Sequence, residues 1–249
     1  VRLLAIKPAG IFAAAKAGII DSTELFSLND ESRKTLIEDG WKEVVSNQSY
    51  ENFLLLNPNL LNKQLRETIL NYIYSADFQS FLIKHSLEPA YGLIPNNLPG
   101  AIKQKQETNQ NEFKIHGTSK LKISFLETNS QHQLILGKLK SALSKIGVEI
   151  IEEALDIDSF YKLLFSKKAA AILAGKSLDY PDGYANLSYF RTDIENNFLF
   201  MENSTLNSEI SALSKFNSDT RINEYFTIQK KILNQTTAIP IFFGSSMSN

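Results

Sequence analysis

Apolar residues recur at two spacings along the chain, and the two spacings alternate most regularly between residues 121 and 173. Short stretches that are alternately or continuously apolar predict strands over residues 121–125, 148–151 and 170–173. Apolar residues at helical spacing predict one helix from about 130 to 145, stopped by Gly147, and a second one capped by Asp158. This β-α-β-α-β order predicts a parallel sheet with right-handed crossovers.

The N-terminal part of the chain shows shorter patterns of the same two kinds. Residues 11–17 predict an alanine-rich helix that ends at Gly18, and Ile19 and Ile20 predict a short strand after it. A further helix is expected from Asn29 or Asp30 to residue 37. Residues 53–56 predict a buried strand, which ends in a turn over residues 57–59.

The remaining segments add helices and one last strand. Helices are expected to begin at Asn62 or Lys63, and at the N-caps Asp77, Asn207 and Asp219. Residues 86–118 lose periodicity and predict a long connection over the surface. Residues 239–243 predict a closing strand, and residues 244–249 predict a ragged tail.

Composition narrows the classes of function. A chain of 249 residues, 43% of them hydrophobic, can bury a substantial core. Its formal net charge of −1 gives no electrostatic reason to expect nucleic acid or an anionic membrane as partner. The absence of cysteine excludes disulfides, thiolate metal sites and a Cys nucleophile. No apolar stretch is long enough to span a bilayer, and a start at Val1 without a signal peptide suggests a cut or processed end.

The polar motifs do not form a recognisable catalytic or metal site. His85, His116 and His132 lie far apart and lack metal-ligand spacing. The sequence Gly175-Lys176-Ser177 imitates the end of a phosphate-binding loop, but the first glycine of that motif is replaced by Ala170. Carboxylates and a turn follow it in place of a helix, so nucleotide binding is rejected.

One pair of carboxylates leaves two interpretations open. Asp179 and Asp182 have the spacing of residues in plain Asx turns, and they could also serve as an acid and a base. The sequence supplies no partner or pocket for the second role, which remains as an alternative.

Five segments, in this order, resemble the second half of a known protein family. They are residues 14–21 (AAKAGIID), 57–71 with the Leu65-Arg66 pair, 143–148 (LSKIGV), 175–182 (GKSLDYPD), and 221–241, which begins with Arg221 and ends in Ile-Pro-Ile. The chain is similar to the oligopeptide- and dipeptide-binding proteins of bacterial ABC importers, the family 5 extracytoplasmic solute-binding proteins. Lys176 stands where the family has tryptophan, and Leu126, beside Glu127, stands where dipeptide binders have arginine.

The resemblance implies an α/β fold, a type II-like periplasmic-binding-protein C-terminal lobe with a partial N-terminal lobe. Residues 1–55 would be the remnant of the N-terminal lobe and hinge, residues 56–243 the C-terminal α/β lobe, and residues 244–249 a tail. Most of the N-terminal lobe would be missing. The resemblance further implies a non-catalytic protein that encloses a peptide-like solute between two lobes and delivers it to an ABC permease.

The resemblance also implies the residues that contact the ligand. Asp179 would pair with the α-ammonium group of a peptide, and Lys176, Tyr180 and Asn57 would contribute further contacts. No metal or cofactor is expected. The protein would lie in the periplasm or on the extracytoplasmic face of the inner membrane, reaching the membrane through the permease or a lipid anchor on the missing N-terminus. The alternatives are an α/β enzyme that uses Asp179 and Asp182, and a degenerate family member that scaffolds a complex.

Overall fold

A computed structural model describes residues 6–23, 28, 30–42, 44–104, 119–177, 182–194, 197–200 and 202–248. The chain divides into two compact units, one formed by residues 1–50 and 245–249 and the other by residues 51–244. No helix in the described ranges is both long and apolar enough to cross a membrane.

The elements follow one another as a mixture of helices and strands. The helices are α1 (Pro8–Lys16), α2 (Asp30–Glu38), α3 (Lys63–Ile73), α4 (Ala76–Lys84), α5 (Ser130–Leu143), α6 (Ile157–Ser166), α7 (Gly183–Ser188), α8 (Ser204–Ala212) and α9 (Ser218–Leu233). The strands are β1 (Val44–Leu56), β2 (Glu88–Pro89), β3 (Ser119–Leu126), β4 (Val148–Leu155), β5 (Ala171–Ser177) and β6 (Ala238–Ser248).

The strands form one mixed sheet in the order β2-β6-β1-β5-β3-β4. Strand β3 is parallel to β4 over its whole length, from Ser119 opposite Val148 to Leu126 opposite Leu155, and it is parallel to β5. Helix α5 connects β3 to β4, and α6 connects β4 to β5. The predicted parallel β-α-β-α-β unit is therefore confirmed, as is the left-handed stop at Gly147, whose φ is 83°.

The sheet separates two apolar clusters because successive strand residues point to opposite faces. In β1, Leu54 and Leu56 belong to the cluster that α3, α4 and α5 cover. Phe53 and Leu55 belong to the other cluster, which α6, α8 and α9 cover. This alternation fixes the face of any residue in β1, including the polar residues that precede Phe53.

The predicted helix starts were close, but most named the wrong capping residue. Asn62 caps α3 as predicted, since its Oδ1 accepts a hydrogen bond from the Leu65 amide at 2.8 Å. The other four caps are the earlier residues Ser75, Asp156, Asn203 and Asn217, in place of Asp77, Asp158, Asn207 and Asp219. The three aspartates lie in the first turn of their helices, where a negative charge still interacts favourably with the helix dipole.

The expected surface connection after α4 is instead buried over two stretches, residues 92–95 and 100–102. Leu93 and Ile94 are fully buried, and both their amides donate to Oε1 of Gln229, at 2.9 and 3.1 Å. Nε2 of Gln229 donates to the carbonyl of Gly100 at 2.8 Å. Tertiary hydrogen bonds thus hold this segment in place of the regular secondary structure for which the sequence showed no periodicity. Residues 105–118 lie outside the described part of the chain.

Three further predictions, about two strands and the C-terminal tail, were also wrong. Ile19 and Ile20 form no strand, and Ile19 is 60% exposed after the turn at Gly18, whose φ is 65°. Strand β1 begins at Val44, well before residue 53. Residues 244–248 continue β6 and are not a ragged tail, because strand pairing does not depend on the apolar pattern that ends at Phe243.

Candidate functional site

The three parallel strands end at the same edge of the sheet. Open α/β sheets bind ligands beyond the carboxyl ends of such strands. Strand β5 ends there at Ser177, and residues 178–181 follow it. Asp179 and Tyr180, two of the predicted ligand contacts, lie outside the described residues, so their roles stay predictions.

Lys176 lies near the end of β5 and is buried, with 5% of its side chain exposed. Its Nζ is 3.4 Å from Oε2 of Glu51, whose side chain is completely buried. Strands β1 and β5 are neighbours, and the Asn57 amide after β1 donates to the Ala170 carbonyl before β5. The two strands therefore run in opposite directions, which brings Glu51 opposite Lys176 on one face of the sheet.

The short helix α7 supplies further contacts to the Lys176 ammonium group. Its Nζ donates to the backbone carbonyl of Asn186 at 3.0 Å and to Oδ1 of the same residue at 3.1 Å. The nitrogen also lies over the Tyr189 ring, 4.3 Å from its centroid, and 5.9 Å from the centroid of Phe190. Lys176 is therefore enclosed by a carboxylate, two carbonyl oxygens and aromatic rings.

The carboxylate of Glu51 is the least solvated charge in this cluster. Burial raises its pKa to about 7, although the neighbouring Lys176 ammonium acts in the opposite direction. Among the described residues, no hydrogen-bond partner is found for either carboxylate oxygen or for the buried Nδ2 of Asn186. Because this pKa lies close to neutral, Glu51 is only partly ionised at pH 7, and the Lys176 ammonium is the group that favours its ionised form.

Asp182 holds the start of α7. Its Oδ1 accepts hydrogen bonds from the Tyr184 amide at 3.0 Å and from the Tyr225 hydroxyl at 2.7 Å. Burial, together with the bond to Asp182, raises the pKa of Tyr225 above its usual range. Asp182 thus joins α7 to α9, and its bond from the Tyr184 amide fits the Asx-turn interpretation for this residue.

Asn57 has a similar structural arrangement. Its Nδ2 donates to the carbonyls of Lys167 and Ala169 at 3.1 and 3.0 Å, and its Oδ1 accepts from the Asn59 amide at 3.0 Å. The side chain joins the turn after β1 to the segment before β5. That turn lies at the opposite end of β5 from Lys176, so the structure does not bring these two predicted contacts together.

A second buried polar pair lies on the other face of β1. Asn52 Oδ1 is 3.1 Å from Nε2 of His132, and both side chains are buried. Burial lowers the pKa of His132 to about 3, so the ring is neutral at physiological pH. Within the described ranges, no three His, Asp or Glu side chains are grouped so as to hold a metal ion.

Sequence analysis missed Glu51 and Asn52. The available signal was two consecutive polar residues directly before the apolar run 53–56. Strand alternation sends one side chain to each face, and both faces are buried. Because the strand was predicted to start at residue 53, these two polar residues were not assigned to it.

Comparison with known proteins gives a consistent fold. No protein-family model and no curated protein matches this sequence. Haemophilus influenzae OppA in complex with the peptide RPPGFSPFR superposes with a TM-score of 0.78 at 15% identity, over 97% of this chain and 52% of that one. The Escherichia coli murein tripeptide binding protein MppA gives 0.76 at 16% identity, over 96% and 51%.

A third solved structure extends the range of bound molecules. NikA from Brucella suis in complex with Fe(III)-EDTA gives a TM-score of 0.73 at 15% identity, over 97% of this chain and 55% of that one. The chain thus spans about half the length of the solved structures it matches. It has the α/β fold of these periplasmic solute-binding proteins of ABC transporters, over about half of their length.

Proposed function

We propose that this chain is the C-terminal half of a solute-capture protein that delivers a peptide-like ligand to an ABC permease. The observation that carries this proposal is the superposition over nearly the whole chain with binding proteins whose names or bound molecules include peptides. The protein would act outside the cytoplasm and perform no chemistry. Ligand enclosure would follow from closure of two lobes, with contacts on both sides of the ligand favouring the closed state.

The contacts of Asp182 favour this proposal over an enzyme. A carboxylate that acts as general acid or base must exchange a proton with a substrate. Asp182 instead accepts bonds from an α7 amide and from the Tyr225 hydroxyl. Releasing it would break the link between two helices.

Within this proposal, Asp179 is the anchor for a ligand ammonium group. In the sequence it follows Ser177, the last residue of β5, by two positions, and that end of β5 is at the edge of the sheet where ligands bind in open α/β folds. An ionised carboxylate in a partly dry cleft forms strong charge-assisted hydrogen bonds with an ammonium group. The buried Lys176 ammonium is held by Asn186 and Glu51. Lys176 would therefore support this edge of the sheet and would not contact the solute.

The test uses the complete protein that contains this chain. Asp179→Asn keeps the shape of the side chain and removes its charge, so calorimetry should show about tenfold or greater loss of affinity for a peptide with a free amino terminus. Asp182→Asn is the matched control. Asparagine is an equally good N-cap, so this variant should keep both the fold and the affinity.

Three results would decide the matter. An N-acetylated peptide should bind both variants equally, because it has no ammonium group. Unchanged affinity of Asp179→Asn for the free peptide would remove Asp179 from the site. Failure of the unmodified protein to bind any peptide of a broad library would refute the peptide-like ligand itself.

A further inference from the structure

The surroundings of the Lys176 ammonium have the chemistry of a binding site for a primary amine. Its contacts include two carbonyl oxygens of Asn186 at 3.0 and 3.1 Å, the Glu51 carboxylate at 3.4 Å and the face of Tyr189 at 4.3 Å. The three N–H donors of an ammonium group suit a carboxylate and two carbonyls. An aromatic face adds an attraction for the cation that strengthens when water is absent.

Burial makes this cluster more than an ordinary surface ion pair. Exposed pairs contribute little because water competes with both charges. Here the side chains of Lys176 and Glu51 are 5% and 0% exposed. Removing the cation raises the pKa of the Glu51 carboxyl further, so above that pKa the vacated site holds an uncompensated buried carboxylate that a replacement cation can neutralise.

We propose that Glu51, Asn186 and Tyr189 form a binding site for a primary alkylammonium group, and that Lys176 occupies it as a tethered ligand. The proposal is independent of the solute-capture function, since it concerns a site filled from within the chain. Its consequence for specificity is that Glu51 is neutralised internally. A cationic group of a solute therefore cannot use Glu51 as its counter-ion.

A free amine of the same size as the removed part of the lysine side chain is a direct probe of this site. Lys176→Ala removes Cγ, Cδ, Cε and Nζ, which together have the heavy atoms of n-propylamine. n-Propylammonium should then fill the vacated volume and neutralise the charge of Glu51. 1-Propanol has the same length without the charge, and tetramethylammonium has the charge without N–H donors.

The experiment measures thermal unfolding of the chain as each compound is added, at about pH 9, where an alkylamine is still protonated and the Glu51 carboxyl is more fully ionised than near neutral pH. Propylammonium should raise the midpoint of Lys176→Ala well beyond its effect on the unmodified chain. At ten times its dissociation constant, the folded-to-unfolded ratio should rise about elevenfold. Propanol and tetramethylammonium should have much smaller effects.

Two control variants distinguish the effect of the Glu51 charge from that of the volume vacated by the lysine side chain. Lys176→Met fills the space without a charge and should show no specific response to propylammonium. In Lys176→Ala combined with Glu51→Gln, the response should disappear, because the counter-ion is gone. If Lys176→Ala is unfolded alone, the same titration is followed as amine-dependent refolding by circular dichroism.

The proposal fails on any of three results. Propanol that matches propylammonium in the Lys176→Ala chain would show an apolar cavity. A response that persists without the Glu51 charge would show a different binding site. Propylammonium that neither stabilises nor refolds Lys176→Ala, while Lys176→Met is folded, would show that no free amine can enter the site that Lys176 fills.

Discussion

Gln229 is the clearest place to test how the segment after α4 is held. Its fully buried side chain accepts from the amides of Leu93 and Ile94 and donates to the carbonyl of Gly100. It also donates to the carbonyl of Tyr225, one helical turn before it. Gln229→Leu keeps similar volume and removes all four bonds.

The expected cost follows from the groups left without partners. The Tyr225 carbonyl keeps the hydrogen-bonding environment of α9, so two amides and one carbonyl lose their bond. Each unsatisfied buried group costs about 1–3 kcal/mol, and the added apolar burial of leucine offsets part of the total. We expect the free energy of unfolding to fall by about 3–5 kcal/mol.

Urea denaturation followed by circular dichroism measures this change. With an m-value near 3 kcal/mol/M, the midpoint should fall by about 1–1.7 M. The matched control is Gln133→Leu, an exposed residue of α5, which should change the free energy of unfolding by less than about 0.5 kcal/mol. A loss below about 1 kcal/mol for Gln229→Leu would refute the reasoning, since Leu93 and Ile94 would then have other partners.

Two further predictions concern a buried charge and a backbone conformation. Burial raises the folded-state pKa of Glu51 from 4.5 to about 7, so its contribution to stability is present below pH 4.5 and is lost as the pH rises to about 7. Glu51→Gln should remove up to about 3 kcal/mol of this pH dependence from urea titrations, and an unchanged profile would show that Glu51 ionises normally. Ser86, exposed after α4, has a φ of 57°, so Ser86→Gly should raise stability by about 0.5–1 kcal/mol. The same change at exposed Ser80 within α4 should lower it by roughly 0.5 kcal/mol, and equal signs at both positions would contradict this explanation.

The parts of the fold that were predictable are those with a local cause. The parallel unit from β3 to β5 follows from periodicity over short windows, and the stop at Gly147 follows from the tolerance of glycine for positive φ. Four capping residues were missed because several polar residues stand together at the start of each of these helices. Which of them caps depends on where tertiary packing begins the first turn.

The candidate site was less predictable because its central contact is not local. Glu51 and Lys176 are far apart in the sequence and meet through the pairing of β1 with β5, which no motif encodes. The family resemblance drew attention to Lys176 as a substituted tryptophan, but it gave no partner for the new charge. A buried lysine requires a counter-ion or hydrogen-bond acceptors, so a search for buried acids on neighbouring strands could have suggested Glu51.

The order of strands in the sheet has a consequence for synthesis of the protein. Strand β1 ends at Leu56, and its two neighbours begin at Ala171 and Ala238. Residues 53–56 are fully buried in the folded chain, so a ribosome-bound chain carries this apolar strand without either neighbour until β5 has been made, and with one neighbour missing until β6 has been made. Long-range pairing of this kind slows folding and leaves a strand open to association with other chains. A molecular chaperone that binds the nascent segment around β1 would therefore increase the yield of native protein.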